Sequence, residues 1–392
     1  MNKALLEKEA QEFIATHLQE DTAKIILKGA SIEGVSIQEL VEQIEAKLKC
    51  KKKLPTFFAA NGIYYPTKLN IEQSSSEVTA EYKSHLISGQ TMIDLTGGFG
   101  VDCLYFSKRF ESVTHCERNK ELSQIAAYNI DQLGIDNVDF QSEDGLQILE
   151  NIDQTYDCIY LDPSRRHHDK GKVFFLSDCE PIVPKNLELL FTRSETILIK
   201  TSPLLDITAG LRELNDVHEI HIVAINNEVK ELLWLLKYGA NSVPTIKTVN
   251  IVQHKMELFE FQLAIQSSES SLLSLPKAYA YEPNAAIMKS GGFVNLSQKM
   301  KVAKLHEHSH LYTSDSLIEF PGRQFKIMEV MAYQKHKIKK RLPKKANVSI
   351  RNFPESVSQL RKKFKIADGG HVYLFFTTNL NNEKIVLLCE KV

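Results

Sequence analysis

The chain has 392 residues, 43% of them hydrophobic and 25% charged, with a formal net charge of −1, which is ordinary for a globular protein of two or three domains. Six scattered cysteines form no C-x-x-C pair, so neither a zinc site nor a disulfide framework is indicated and a reducing cytoplasm is expected. The acidic, amphipathic N-terminus and the lack of a long apolar run argue against a secretory signal and a membrane span.

Residues 1–86 predict a mainly helical region, because their apolar residues recur at helical spacing. A helix is expected within 70–88, directly before the first strand. Ser74 or Ser75 is expected to cap it, since a serine oxygen readily accepts from the first backbone amides of a helix. Direct contact of these serines with a cofactor is the less favoured alternative.

The segment 92–102 is the most informative in the chain, because it predicts a strand, a tight turn and a helix start. Asp94 ends the apolar run, and Gly98 and Gly100 follow in an Asp-x-x-x-Gly-x-Gly pattern. Glycine permits positive φ and close approach of a ligand to the backbone, and helix N-terminal amides attract polar or anionic groups. A dinucleotide site would need G-x-G-x-x-G, but Cys103 stands where the third glycine belongs. An empty glycine-rich turn is the remaining alternative.

Three more acids follow predicted strands. Glu117 follows the strand at 111–116, Asp144 follows a short strand at 138–140, and Asp162 follows the strand at 156–161. Open α/β sheets bind ligands at the carboxyl ends of their strands. The sequence therefore predicts one polar pocket, and its first motif resembles that of class I S-adenosylmethionine-dependent methyltransferases.

This resemblance implies an α/β fold with a Rossmann-like, seven-stranded sheet that ends in an antiparallel edge hairpin. The strand-like runs 219–225 and 232–238, joined by Asn226-Asn227, fit that hairpin. It also implies S-adenosyl-L-methionine as the cofactor. Glu117 would accept hydrogen bonds from both ribose hydroxyls, and Asp144 would accept one from the adenine amino group. The residues expected to bind the cofactor are Asp94, Gly98, Gly100, Glu117 and Asp144.

A second motif is expected to face the methyl acceptor and supplies the candidate catalytic residues Asp162, Pro163, Ser164 and Arg165. Related methyltransferases carry an acid or Asn, then Pro-Pro, then an aromatic residue or Arg. The aromatic forms usually act on exocyclic or ring nitrogens, whereas forms that end in Arg resemble certain RNA methyltransferases. Here Ser164 replaces the second proline and Arg165 the ring, so the target atom stays open. Arg166 and His167 could bind phosphate, and one of His167 and His168 could instead act as a base.

The segment 323–365 is strongly basic. It contains 14 Lys and Arg residues against two acids, a net charge of +12, so the remainder of the chain carries −13. Such a patch suits a polyanion, although a solvated surface or an intramolecular partner for the acidic remainder would give the same pattern. The residues expected to contact nucleic acid are Lys337, Lys340, Arg341 and Lys362.

As a whole, the chain resembles bacterial THUMP-like class I methyltransferases, on the motifs above, Tyr281-Glu282-Pro283-Asn284 and the basic tail with Gly369-Gly370. The resemblance implies a helical N-terminal region at 1–86, a methyltransferase domain at 87–243, a small ferredoxin-like region at 244–322 and a basic THUMP-like domain at 323–392. The expected activity is methylation of a base nitrogen of tRNA or rRNA. A protein or small-molecule methyltransferase and a non-catalytic RNA-binding module stay open as alternatives.

Overall fold

The fold is taken from a computed structural model, which describes residues 1–165, 175–253, 255–263 and 271–392. The chain divides into two compact units. The first comprises Met1–His218 and Leu232–Ser242, and the second comprises Glu219–Glu231 and Val243–Val392. No helix in the described ranges combines the length and apolar character needed to cross a bilayer.

The N-terminal part of the first unit is helical, as its apolar periodicity predicts. Beyond a short 3-10 helix at Lys3–Leu6, its helices are α1 (Lys8–Thr16), α2 (Thr22–Lys28), α3 (Ile37–Lys53), α4 (Pro55–Ala59), α5 (Lys68–Gln73) and α6 (Glu77–Ser84). The helix expected within 70–88 is thus interrupted between α5 and α6. Ser76, not Ser74 or Ser75, caps α6, because its hydroxyl accepts from the Thr79 amide at 3.2 Å.

Strands and helices alternate through the rest of the first unit. The elements are β1 (Thr91–Asp94), α7 (Val101–Phe106), β2 (Ser112–Cys116), α8 (Lys120–Gln132), β3 (Val138–Gln141), α9 (Gly145–Asn151), β4 (Cys158–Leu161), β5 (Ser164–Arg165), a 3-10 turn (Leu176–Asp178), β6 (Cys179–Glu180), α10 (Val183–Arg193), β7 (Thr196–Thr201) and α11 (Ile207–Glu213). The central strands β7, β4, β1, β2 and β3 are parallel neighbours in that order. Both faces of such a sheet are covered, so β1, β4 and β7 are apolar runs rather than alternating ones.

The predicted antiparallel hairpin is present as β8 (Val217–Ile225) and β9 (Glu228–Lys237), joined by Asn226 and Asn227 in left-handed conformations. In the first unit, Leu232–Lys237 of β9 pairs antiparallel with β7. In the second unit, two further strands extend from the hairpin. These are β10 (Thr245–Val252), parallel to β8, and β11 (Lys255–Gln262), antiparallel to β10.

The remainder of the second unit forms a seven-stranded sheet in the order β13–β14–β12–β15–β18–β17–β16. Strands from both the 244–322 and the 323–392 regions share this sheet, and apolar clusters cover its two faces. The elements are β12 (Tyr279–Pro283), α12 (Ala285–Ser290), α13 (Phe293–Met300), β13 (Ala303–Lys304), β14 (Tyr312–Ser314), β15 (Gly322–Ala332), α14 (Lys335–Ile338), β16 (Asn347–Arg351), α15 (Val357–Phe364), β17 (Val372–Thr378) and β18 (Lys384–Lys391).

Candidate active site at the carboxyl ends of the parallel strands

Glycines within and beside the loop between β1 and α7 are required for two different reasons. Gly98 and Gly100 have φ of +55° and +82°, a left-handed conformation that other residues rarely adopt. Gly145, at the start of α9, is needed for close packing instead, because a Cβ there would lie 2.7 Å from the Leu95 backbone. The first turn of α9 therefore packs directly against the loop.

Asp94 lies beneath this loop, with only 1% of its surface exposed. Its Oδ1 accepts from the Thr96 backbone amide at 2.9 Å and from the Thr96 hydroxyl at 3.3 Å. Burial raises the pKa of Asp94 well above its usual range, and the nearby carboxylates of Asp102 and Asp162 raise it further. Asp94 thus holds the loop in place through Thr96.

Glu117 connects the end of β2 to the glycine loop. Its Oε2 accepts from the Gly98 amide at 3.0 Å, and its Oε1 accepts from the Asn119 amide at 2.7 Å. Each carboxylate oxygen has two lone pairs, so both can accept one more hydrogen bond. The side chain is therefore held in a fixed orientation and can still bind a pair of hydroxyls.

Asp144 is the N-cap of α9 and stands at the end of β3. Its Oδ1 accepts from the Leu146 and Gln147 amides at 3.0 and 3.4 Å. The cap fixes one oxygen of the carboxylate, while the partly exposed side chain lines the cavity described below.

Asp162 follows β4, and two contacts hold it. Its backbone amide donates to the Thr96 hydroxyl at 2.7 Å, and its Oδ2 forms an ion pair with the ammonium of Lys200. Pro163 is buried, whereas Ser164 is exposed and begins β5, which pairs with β6. Arg165 lies in β5. The predicted phosphate contacts Arg166 and His167, and the alternative base His168, lie outside the described residues.

These strand ends surround a cavity of about 610 Å³. Five of the residues predicted to bind the cofactor or to face the acceptor line it, namely Gly98, Glu117, Asp144, Asp162 and Ser164. Ser74 and Ser75, for which cofactor contact was the less favoured alternative, line it as well. Asp94 and Gly100 are not part of the described lining and support the loop from behind. The lining also includes polar residues that the sequence did not single out for a role in the pocket, among them Asp102, Glu180, Lys185 and Asn186.

A buried ion pair lies next to the cavity, and no local sequence pattern predicts it. Lys83 of α6 is fully buried, and its ammonium lies 3.1 Å from Asp102 Oδ1 in α7. Asp102 Oδ2 accepts from the hydroxyls of Ser75 and Tyr160 at 2.7 and 3.0 Å. Although burial opposes it, the ammonium groups of Lys83 and Lys200 keep the pKa of Asp102 below its ordinary value. The pair couples the N-terminal helices to the glycine loop.

His115 of β2 lies directly under Gly97 and is fully buried. A Cβ at Gly97 would overlap the imidazole ring, so the loop requires glycine there as well. Neither ring nitrogen has a hydrogen-bond partner in the described part of the chain. Burial lowers the pKa of His115 to about 4, and the ring is therefore neutral near pH 7.

The four basic residues predicted to contact nucleic acid lie in the second unit and are all exposed. Ile338 of α14 and Leu360 and Phe364 of α15 belong to one apolar cluster, so these basic helices cover the same face of the sheet. Arg341 pairs with Glu329. The predicted contact residues are Lys337, Lys340, Arg341 and Lys362.

Comparisons with known proteins agree with this geometry. A ferredoxin-like domain model matches residues 279–321, and a THUMP domain-like model matches residues 322–391. The crystal structure of a candidate methyltransferase from Porphyromonas gingivalis W83 superposes with a TM-score of 0.87. That protein is 31% identical, and the match covers 98% of this chain and 99% of the other.

A curated relative, an uncharacterized RNA methyltransferase of Mycoplasma mobile, is 29% identical over 150 residues. The match covers 37% of this chain and 41% of that relative, so the chain spans less than half of the relative's length.

Proposed function

The chain belongs to the THUMP-like class I S-adenosylmethionine-dependent methyltransferases, and on this premise we propose that it methylates RNA. The observation that carries the proposal is the cavity of about 610 Å³ at the carboxyl ends of β1, β2, β3 and β4, together with the exposed lysine and arginine side chains of the second unit. The first feature suits the methyl donor and the second suits a polyanionic acceptor.

The residues of the cavity fit S-adenosylmethionine. We propose that Glu117 accepts hydrogen bonds from the two ribose hydroxyls, because Gly98 and Asn119 already fix its orientation. Asp144 would accept from the adenine amino group. Gly98 and Gly100 let the backbone approach the ligand closely, and the buried Asp94 holds the loop through Thr96. The bound sulfonium supplies an activated methyl group.

Asp162 through Arg165 would face the methyl acceptor. The Asp162 carboxylate accepts a hydrogen bond from the acceptor group and orients its lone pair toward the methyl carbon. The Thr96 hydroxyl accepts from the Asp162 backbone amide and Lys200 pairs with the Asp162 carboxylate, so the position of the carboxylate is set before substrate arrives. Pro163 is buried and fixes the backbone that follows, and Ser164 lines the cavity at the acceptor side.

RNA is proposed as the acceptor because of the charge on α14, on the loop that follows α14 and on α15 with its C-cap Lys365, a surface that we call the basic face. Phosphate contacts by lysine and arginine are independent of sequence and sensitive to salt. The curated relative's description as an RNA methyltransferase supports the same substrate class. The exposed cations of the basic face are Lys337, Lys339, Lys340, Arg341, Lys344, Lys345, Lys362 and Lys365.

The test is methyl transfer from radiolabelled S-adenosylmethionine to an extract of a strain that lacks the gene, with and without prior ribonuclease treatment. We expect label in RNA and its loss after ribonuclease. Label that survives ribonuclease would point to a protein or small-molecule acceptor. Cofactor binding without any transfer would point to a non-catalytic RNA-binding module. Mass spectrometry of nucleosides from the deletion strain and its parent would then identify the modified nucleoside.

A further inference from the structure

Asp162, the target-facing aspartate that lines the cavity, is paired with a lysine, Lys200. In the β4–β7 register Leu161 pairs with Ile199, so the next residues, Asp162 and Lys200, emerge side by side. Their ion pair is not sealed in the core, because 31% of the Asp162 side chain and 14% of the Lys200 side chain are exposed. A polar group in the cavity can therefore reach Asp162 and lie close to Lys200.

The neighbouring carboxylate, Asp102, has its own cation. Lys83 pairs with it at 3.1 Å from a fully buried position, and Ser75 and Tyr160 donate to its other oxygen. Asp102 thus accepts two hydrogen bonds at one oxygen and forms an ion pair through the other. Lys200 is the cation paired with Asp162, and its charge therefore also acts on a group that binds against Asp162.

The hydrogen-bonding capacities of this pair discriminate between acceptor groups. A lysine ammonium only donates, and an ionised carboxylate only accepts. A base amine offers N–H donors, which suit Asp162 but face another donor at Lys200. A hydroxyl both donates and accepts, so it can donate to Asp162 and accept from Lys200 at the same time.

Among the described residues, the lining of the cavity offers no exposed aromatic ring on which a base could stack. Phe99 is the one aromatic residue among those that line the described cavity, and it is 3% exposed and packed against Phe57, with ring centroids 5.0 Å apart. Near Asp162 the described lining is Ser164, Glu180, Lys185 and Asn186. A flipped base would ordinarily be held by stacking on a ring.

We propose that the methyl acceptor is the ribose 2′-hydroxyl of RNA rather than a base nitrogen. The inference rests on the proposed RNA substrate. The 2′-hydroxyl is the hydroxyl that each internal nucleotide of RNA carries. Its oxygen forms the bond to the methyl carbon as the carbon–sulfur bond breaks, leaving a methyl ether and S-adenosylhomocysteine. The hydroxyl proton passes to Asp162 and then to water, while the Lys200 ammonium stabilises the negative charge that develops on the oxygen.

The decisive experiment uses the unmodified full-length chain. RNA from a strain lacking the gene is methylated with radiolabelled S-adenosylmethionine and then hydrolysed with alkali. Alkaline cleavage needs the 2′-hydroxyl, so a 2′-O-methylated nucleotide stays in a dinucleotide. We expect the label in dinucleotides. Label in mononucleotides would overturn the inference and leave RNA methylation intact, whereas an absence of label from RNA would overturn both.

Variants of Lys200 provide a second readout. Lys200→Met is expected to lower kcat at least about 100-fold, as loss of a proton-transfer or charge-stabilising group does, with unchanged affinity for S-adenosylhomocysteine. Lys200→Arg, which keeps the charge, should recover part of the rate. The matched control is Lys49→Met, which removes an exposed lysine paired with Glu72. An unchanged kcat in Lys200→Met would contradict a role for Lys200.

Discussion

The Glu117 carboxylate accepts a hydrogen bond from the Gly98 backbone amide at 3.0 Å, which joins the end of the second strand to the glycine loop after the first. The same carboxylate accepts from Asn119, so its orientation is fixed from two sides. A loop that the sequence presents as a local turn is thus held by an acid 19 residues away.

Replacing Glu117 by Ala is expected to weaken cofactor binding. The change removes the proposed acceptor of both ribose hydroxyls and the anchor of Gly98, and hydrogen bonds to a charged group are each worth about 1.5–3 kcal/mol. Calorimetric titration with S-adenosylhomocysteine should show at least a roughly tenfold weaker Kd. Asp162→Ala serves as the comparison, since it should preserve this affinity and abolish turnover. Equal affinities for wild type and Glu117→Ala would contradict the ribose assignment.

Gly145→Ala is expected to disturb the cofactor site by displacing the backbone at Leu95. The added Cβ would lie 2.7 Å from the Leu95 backbone, and such overpacking typically costs about 1–3 kcal/mol. Affinity for S-adenosylhomocysteine should fall together with stability. Gly134→Ala is the control, because Gly134 has φ of +73° and nothing within 4 Å, so strain alone should lower stability and leave affinity unchanged.

Breaking the Lys83–Asp102 pair is expected to destabilise the first unit. Lys83→Met leaves the Asp102 carboxylate buried without its cation, which typically costs about 3–5 kcal/mol. Trp234, the only tryptophan in the chain, is buried in this unit and reports its unfolding by fluorescence.

The double variant Lys83→Met/Asp102→Asn should recover part of the free energy of unfolding that Lys83→Met loses, because no unpaired charge remains. The surface control Lys49→Met should change the free energy of unfolding by less than about 1 kcal/mol, since that pair is exposed. Equal effects of Lys83→Met and Lys49→Met would show that the buried pair does not stabilise the unit.

The stability of the first unit is expected to fall as the solution is acidified. The pKa of His115 is about 4 in the fold, below its ordinary value of 6.5, so the unfolded chain binds the proton more readily. This difference in pKa changes the free energy of unfolding by about 3 kcal/mol. The added stability is fully present above pH 6.5 and is lost as the pH drops toward 4. Denaturant midpoints followed by Trp234 fluorescence at several pH values measure this dependence. His115→Leu should flatten it, and an identical slope in the variant would assign the effect to other groups.

Removing charge from the basic face is expected to weaken binding equally for RNAs of every sequence. The triple variant Lys337→Ala/Lys340→Ala/Lys362→Ala should reduce the slope of log K against log salt by about three if each lysine contacts one phosphate. The control removes three exposed lysines from the N-terminal helices, Lys8, Lys24 and Lys28. Fluorescence anisotropy with labelled RNA gives both slopes, and indistinguishable slopes would exclude the basic face as the RNA contact.

The sequence by itself determined the framework of the pocket. Asp94 ends β1, and Glu117 and Asp162 directly follow β2 and β4, and parallel strands bring their carboxyl ends to one edge of a sheet. The glycines at 98 and 100 identify the loop for the same local reason, since few other residues adopt positive φ. Such signals reside within a few residues of the chain, and a pattern can therefore reveal them.

Only the tertiary structure decided which side chains meet. Lys200 contacts Asp162 across 38 residues, Lys83 pairs with Asp102 from a different helix, and His115 lies under Gly97. Nothing near Lys83 or Lys200 in the sequence distinguishes them from the other lysines. Their roles arise from strand register and burial, which are properties of the packed chain, because a lysine gains a specific partner only when folding removes it from water beside a carboxylate.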